Sequence, residues 1–216
     1  MKKNNEKQQV AEIMNRLYQR HLTNCMSGNV SLKNDDGHIF ITPSQIDKNS
    51  ITKKQIIELD SEGNYLAAKQ GVHNSKTLKA SIETRMHLLI YQQRSDIKAI
   101  IHAHPLNATA WACSKQELTN NLCTDAIYYI GNIVRIPYSL MGSEMLAKNV
   151  SQYLVESNAA LLNNHGVVTI GTNLFQAYYR MELIEYLAEL HNKVLQIGSP
   201  LLLDNDIINQ ILNNTH

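Results

Sequence analysis

Residues 159–170 read Ala-Ala-Leu-Leu-Asn-Asn-His-Gly-Val-Val-Thr-Ile, two apolar runs around the turn Asn163-Asn164-His165-Gly166. Short apolar runs bounded by turn residues read as buried strands, and a connection this tight joins only antiparallel neighbours. The arrangement recurs upstream. Asn29 to Leu32 and Ile39 to Ile41 flank the turn signal Asn34-Asp35-Asp36-Gly37, and Ile56 to Asp60 runs into Ser61-Glu62-Gly63-Asn64. Lys98 to His102, Ala126 to Ile130 and Ile133 to Ile136 read as further strands. Between them, Val10, Ile13, Met14 and Leu17 have the 3.6-residue period of an amphipathic helix over Val10 to Leu22. Glu83 to Gln93, Asn107 to Cys113, Ser143 to Val155 and Asn173 to Gln196 extend the helical set, with a short helix after Pro200. The expected fold class is α/β: a three-layer α/β/α domain on a central, largely antiparallel sheet. No linker, repeat or low-complexity block divides the chain, so one domain over residues 1–216 is expected.

Composition excludes several functions. Hydrophobic residues make up 44 % and charged residues 18 %, ordinary globular usage that rules out disorder for the bulk of the chain. Twenty Lys and Arg against nineteen Asp and Glu leave a net charge of +1, too little for a basic field that would hold nucleic acid or an anionic membrane. Three cysteines, Cys25, Cys113 and Cys123, lie far apart with no CxxC. This argues against a disulfide framework and a zinc finger and for a reducing cytoplasmic home. The polar start MKKNNEKQQVAEIM is not a signal peptide, and no apolar stretch is long enough to span a membrane. GxGxxG and GxxxxGK[ST] are both missing, which removes the simplest nucleotide-binding readings.

Histidine is the residue out of line, with nine in 216. The strongest local signal is Ile100-Ile101-His102-Ala103-His104-Pro105. In extended backbone, residues two apart share a face, so the two imidazoles can converge on one point. His165, at the turn quoted first, and Glu83, at the start of the helix that feeds the His102 strand, are the third and fourth candidates. Three imidazole nitrogens and a carboxylate suit tetrahedral Zn²⁺ better than Mg²⁺ or Ca²⁺. A carboxylate among the ligands also offers a general base. His87 lies one helical turn from Glu83, on the same face, and reads as packing beneath the site, with support of a ligand as the alternative. Glu182, Glu185 and Glu189 read as a solvated or interhelical face.

Five motifs in order, Ser27-Gly28-Asn29-Val30-Ser31, Ile41-Thr42-Pro43-Ser44, Ser81-Ile82-Glu83-Thr84-Arg85-Met86-His87, His102-Ala103-His104 and Asn164-His165-Gly166, resemble the class II aldolase/adducin family. The resemblance runs from about Glu12 to Lys193 and is closest to the fuculose-phosphate aldolase branch. It implies a zinc-dependent lyase that cleaves a ketose 1-phosphate, such as L-fuculose 1-phosphate, to dihydroxyacetone phosphate and an aldehyde. His102, His104 and His165 match the family's metal ligands, and Glu83 matches its carboxylate ligand and acid/base. Gly28, Asn29, Ser44 and Ser81 fall where the family binds substrate phosphate. Tyr129 aligns with a catalytic tyrosine, and a homotetramer is implied. Same-family alternatives are a sugar-acid phosphate decarboxylase, a methylthioribulose-1-phosphate dehydratase and a pentulose-phosphate 4-epimerase. An adducin-like interaction module is disfavoured because such modules are expected to lack the metal ligands. Two positions depart from the pattern: Gln45 replaces a glycine and Ile82 a serine. The tail after Gly198 contains no tyrosine, which counts against the epimerase.

Overall fold

The computed structural model describes residues 2–66, 72–73 and 76–213. Helix α1 (Lys2–Gln19) precedes strands β1 (Asn29–Lys33), β2 (Ile39–Ile41) and β3 (Ile57–Leu59), then a separate pair, β4 (Val72–His73) and β5 (Lys76–Thr77). Next come α2 (Thr84–Gln93), β6 (Ala99–Ala103), α3 (Leu106–Ala112), β7 (Ile133–Ile136) and α4 (Glu144–Tyr153). The hairpin β8 (Ala159–Leu162) and β9 (Gly166–Gly171) leads to α5 (Leu174–Ile197) and α6 (Asn205–Asn213). The main sheet has the order β3-β2-β1-β6-β9-β8-β7, and only the β7–β8 edge pair is parallel.

Pleating sorts the side chains into two cores. Along β6, Ala99, Ile101 and Ala103 pack with Met14 and Leu17 of α1, Trp111 of α3 and Met181 and Ile184 of α5. Ile100 points the other way, into a core with Met86 and Ile90 of α2 and Leu146 and Val150 of α4. The sheet is therefore covered on both faces, giving the expected three layers. Alternation also decides where His102 goes: it shares the face of Ile100, beneath the start of α2. No helix among the described residues is long and apolar enough to cross a membrane.

The helices begin where local capping chemistry allows. The Ser143 hydroxyl accepts from the Leu146 amide at 3.1 Å, and the Asn173 side chain accepts from Gln176 N at 2.9 Å, each satisfying an otherwise unpaired first-turn donor.

One expected strand is something else. Ala126–Ile130 is a π-helical turn, closed by Gly131 N donating to the Ala126 carbonyl at 3.2 Å and ended by Gly131 at φ 73°. Its β-favouring residues misled, because tertiary packing overrides strand propensity. Ala126, Ile127 and Ile130 are buried while Tyr128 and Tyr129 are exposed, a spacing that fits a helical face and not a pleat.

Candidate metal centre

The centre forms where three elements meet at one end of the central strands. His102 sits near the end of β6, opposite Asn29 of β1 and Val168 of β9. His104 follows just beyond the strand, and His165 comes from the β8–β9 turn, where Asn164 adopts φ 55°. Gly166 is required there. A Cβ at that position would lie 2.6 Å from the Ala103 carbonyl oxygen and closer still to the His104 ring. Glu185 of α5 accepts from the backbone amides of Asn107 and Ala108, at 3.0 and 2.9 Å, so the long helix fixes the start of α3 immediately after His104-Pro105. The glutamate face read as solvated or interhelical is, at Glu185, interhelical.

His102, His104 and His165 each present a ring nitrogen, all within 4.8 Å of one another. Glu83 joins them from the N-cap of α2. Its Oε2 lies 3.3 Å from His102 Nε2, and its Oε1 lies 3.6 Å from His165 Nε2. His102 Nδ1 donates to the Val167 carbonyl at 2.9 Å, which leaves Nε2 as a free lone pair aimed at the cluster. His102 Nε2 and His104 Nε2 are 3.0 Å apart.

Electrostatics favour neutral nitrogens around one anion. Burial pushes His104 down to about 3, with His102 and His165 adding to the effect and Glu83 opposing it. Burial likewise pushes His165 down to about 4. On Glu83, burial acts upward, but attraction to His102 and His165 and the Asn29 hydrogen bond outweigh it and hold the carboxyl below its usual range. A metal ligand must be an unprotonated imidazole or an ionised carboxylate, and the shifts at His104, His165 and Glu83 all run toward those forms. Glu83 Oε1 and His165 Nδ1 are both buried without a hydrogen-bond partner. A bare buried carboxylate oxygen is costly unless a cation compensates it, so the donor set fits a divalent metal.

Behind Glu83 runs a buried polar chain that the sequence reading did not anticipate. Asn29 Nδ2 donates to Glu83 Oε2 at 2.9 Å, and Asn29 Oδ1 accepts from His87 Nε2 at 2.5 Å. Ser31 Oγ lies 2.7 Å from His87 Nδ1 and 2.8 Å from the Tyr91 hydroxyl. Burial drives His87 down to about 3, so its ring is neutral. With Nε2 as donor, Nδ1 must accept from Ser31, whose oxygen is then left to accept from the Tyr91 hydroxyl, a proton the Lys98 carbonyl also draws at 3.1 Å. His87 is thus more than packing: it fixes the Asn29 amide, which in turn holds Glu83.

The same centre opens into a cavity of about 250 Å³ lined by the loops that carry Gly28, Ser44, Lys48 and Ser81, together with Glu83 and the three histidines. Gly28, at φ 77°, lets the loop press against β6, where a Cβ would meet the His102 carbonyl at 2.9 Å. Ser44 Oγ donates to the Ala80 carbonyl and accepts from Ile82 N, both at 3.0 Å. Ser81 Oγ accepts from Glu83 N at 3.3 Å. Gln45, where the family has glycine, adopts φ 54°. Lys48 was not singled out by sequence, since a lone lysine in a polar loop gives no periodic or spacing signal. Tyr129 does not line this cavity: it is 44 % exposed, and its ring meets Tyr128 and Tyr179 edge-on.

Comparison with known proteins agrees with this geometry. The profile of the class II aldolase and adducin N-terminal domain matches residues 8–192. The chain is 34 % identical over 187 residues to an L-fuculose phosphate aldolase of Methanococcus maripaludis strain C5, covering 87 % of this chain and 96 % of that protein. It is 30 % identical over 189 residues to a 3-oxo-tetronate 4-phosphate decarboxylase of Haemophilus influenzae, covering 86 % of each. A solved L-fuculose 1-phosphate aldolase superposes with a TM-score of 0.86 at 29 % identity, over 97 % of this chain and 95 % of that one. With sheet, ligand geometry and sequence in agreement, the chain belongs to the class II aldolase family.

Proposed function

We propose that residues 1–216 act as one class II aldolase-like domain, a zinc-dependent lyase that reversibly cleaves a ketose 1-phosphate such as L-fuculose 1-phosphate. The products are dihydroxyacetone phosphate and an aldehyde. One observation carries the reading: the buried, unpartnered Glu83 Oε1 faces a cluster of three imidazoles in the lining of a substrate-sized cavity. His102, His104, His165 and Glu83 would hold the zinc, a borderline-soft ion suited to nitrogen donors. When bound, that ion supplies Lewis-acid stabilisation of negative charge developing on the substrate carbonyl oxygen.

The chain's own residues do the rest. Glu83 moves a proton at the carbon beside the carbonyl, while the Asn29 amide retains its second oxygen and keeps it oriented. Backbone amides near Gly28 and Asn29, with Ser44 and Ser81, bind the phosphate. Tyr129 exchanges the proton of the hydroxyl that becomes the aldehyde. Tyr129 does not line its own chain's cavity, and in this reading it serves a site completed by a neighbouring copy in a homotetramer. Exposed Tyr138, Leu140 and Phe175 offer apolar surface for such contacts. Free cysteines suit a cytoplasmic enzyme.

The test is release of dihydroxyacetone phosphate from L-fuculose 1-phosphate before chelation, after chelation and after zinc is restored. Loss and recovery are expected, and cleavage indifferent to chelation overturns the proposal. The Haemophilus relative supports a second reading, decarboxylation of a sugar-acid phosphate on the same site. Carbon dioxide release from 3-oxo-tetronate 4-phosphate, with no cleavage of ketose phosphates, would select it.

A further inference from the structure

The loop side of the cavity has few neutral side-chain donors to spare. Ser44 has one hydroxyl proton, and it goes to the Ala80 carbonyl. The Asn29 amide is committed to Glu83, and its oxygen accepts from His87. Ser81 keeps its own proton, since its oxygen acts as an acceptor for Glu83 N. A phosphate dianion has three acceptor oxygens and two charges to satisfy.

Lys48 lines the same cavity and is 2 % exposed. Its backbone is tied down by Lys48 N donating to the Cys25 carbonyl at 2.8 Å. Its ammonium donates to the Pro43 carbonyl, also at 2.8 Å, which uses one of three N–H groups. No other lysine or arginine lines the cavity, and among the described residues Lys48 forms no ion pair. Neighbouring Asp47 turns instead to Asn49 N and Ser50 Oγ. A buried ammonium without a counter-charge is unfavourable, and a bound anion beside it removes the penalty.

We propose that Lys48 is the cationic anchor for the substrate's phosphate, directing its two uncommitted N–H groups to phosphate oxygens beside Gly28, Ser44 and Ser81. The assignment rests on the sugar-phosphate reading above and adds a specificity-determining charge to it. Burial holds the Lys48 amine down to about 8, consistent with a group whose partner arrives with the ligand.

The test uses zinc-loaded protein and inorganic phosphate as the probe, followed by calorimetry. Lys48→Gln keeps a donor for the Pro43 carbonyl but removes the charge. It should weaken phosphate binding about tenfold or more and raise KM for a ketose 1-phosphate with kcat little changed. Equal phosphate affinity in a folded Lys48→Gln protein overturns the proposal while leaving the lyase reading intact. If wild-type protein binds zinc but no phosphate, both fail together. Should the variant not fold, wild-type protein labelled at the lysine ε-carbon gives the same answer by NMR. The Lys48 titration should move upward on adding phosphate, and an unmoved titration overturns the assignment.

Discussion

The two sides of the cavity are built by different means. The metal side stands on strand ends: His102 is locked by the Val167 carbonyl, and Glu83 is held through Asn29, His87 and Ser31. The loop side is made from segments around Gly28, Ser44–Gln45 and Ser81–Ile82, with the last two joined by the Ser44 hydroxyl and a single backbone bridge at Pro43 and Ala80, and it contains a left-handed Gln45. Directional, buried hydrogen bonds suit a group whose position sets the chemical step. Backbone donors and one long flexible cation suit the capture of a symmetrical anion. Damage to the first side should therefore appear in kcat, and damage to the second in KM.

The largest effect belongs to the metal side. Glu83→Gln should lower kcat about 10²- to 10⁴-fold, the range for loss of a general base, with the protein still folded. Steady-state kinetics beside circular dichroism check it, and near-normal kcat would break the contrast at its strongest point. Next is His87→Phe, at a side chain that hydrogen-bonds Asn29 and Ser31 and lies outside the cavity lining. Loss of its bond to Asn29 should reduce kcat about 10- to 100-fold, as for other outer supports of a metal site, with KM nearly unchanged. A KM effect instead would place His87 in substrate binding.

On the loop side, Lys48 makes a prediction about pH. Its folded pKa, about 8, lies below the ordinary 10.5. Below pH 8 both folded and unfolded chains carry the proton, so the burial penalty is fully present. Between 8 and 10.5 the unfolded chain binds more protons, and stability rises with pH. Relative to Lys48→Met, the wild type should gain about 3 kcal/mol across that window, read from denaturant unfolding at pH 7.5 and 10.5. The smallest effect is at Gln45. Glycine tolerates φ 54° without the left-handed penalty but loses more chain entropy on folding. Gln45→Gly should thus raise stability by no more than about 1 kcal/mol, a few degrees in melting temperature. A clear loss of stability would mean that the Gln45 side chain makes a contact that matters.

Legibility in the sequence follows the same division. His102 and His104 are spaced two apart at the end of an apolar strand, and His165 sits in a turn between two apolar runs, so period and punctuation made them candidates and the family resemblance joined them into one ligand set. Glu83 was placed by its position at a helix start. The supporting chain was not legible, because Asn29 and Ser31 of β1 meet His87 and Tyr91 only once α2 is laid over that strand. Lys48 escaped for a related reason: its burial depends on how the loop after β2 folds back on Cys25. At Ala126–Ile130 the residue types argued for a strand, and the buried spacing of 126, 127 and 130 would have argued for a helix. Gln45 stood out as a departure from a glycine, and its positive φ supplies the physical meaning of that glycine.

The central claim is that one metal, held by His102, His104, His165 and Glu83, supports cleavage. Chelated protein titrated with zinc while aldehyde release from L-fuculose 1-phosphate is followed tests it most directly. The rate should climb linearly and break at one equivalent of zinc per chain. A rate already maximal before zinc is added, or one that zinc never restores, would contradict it.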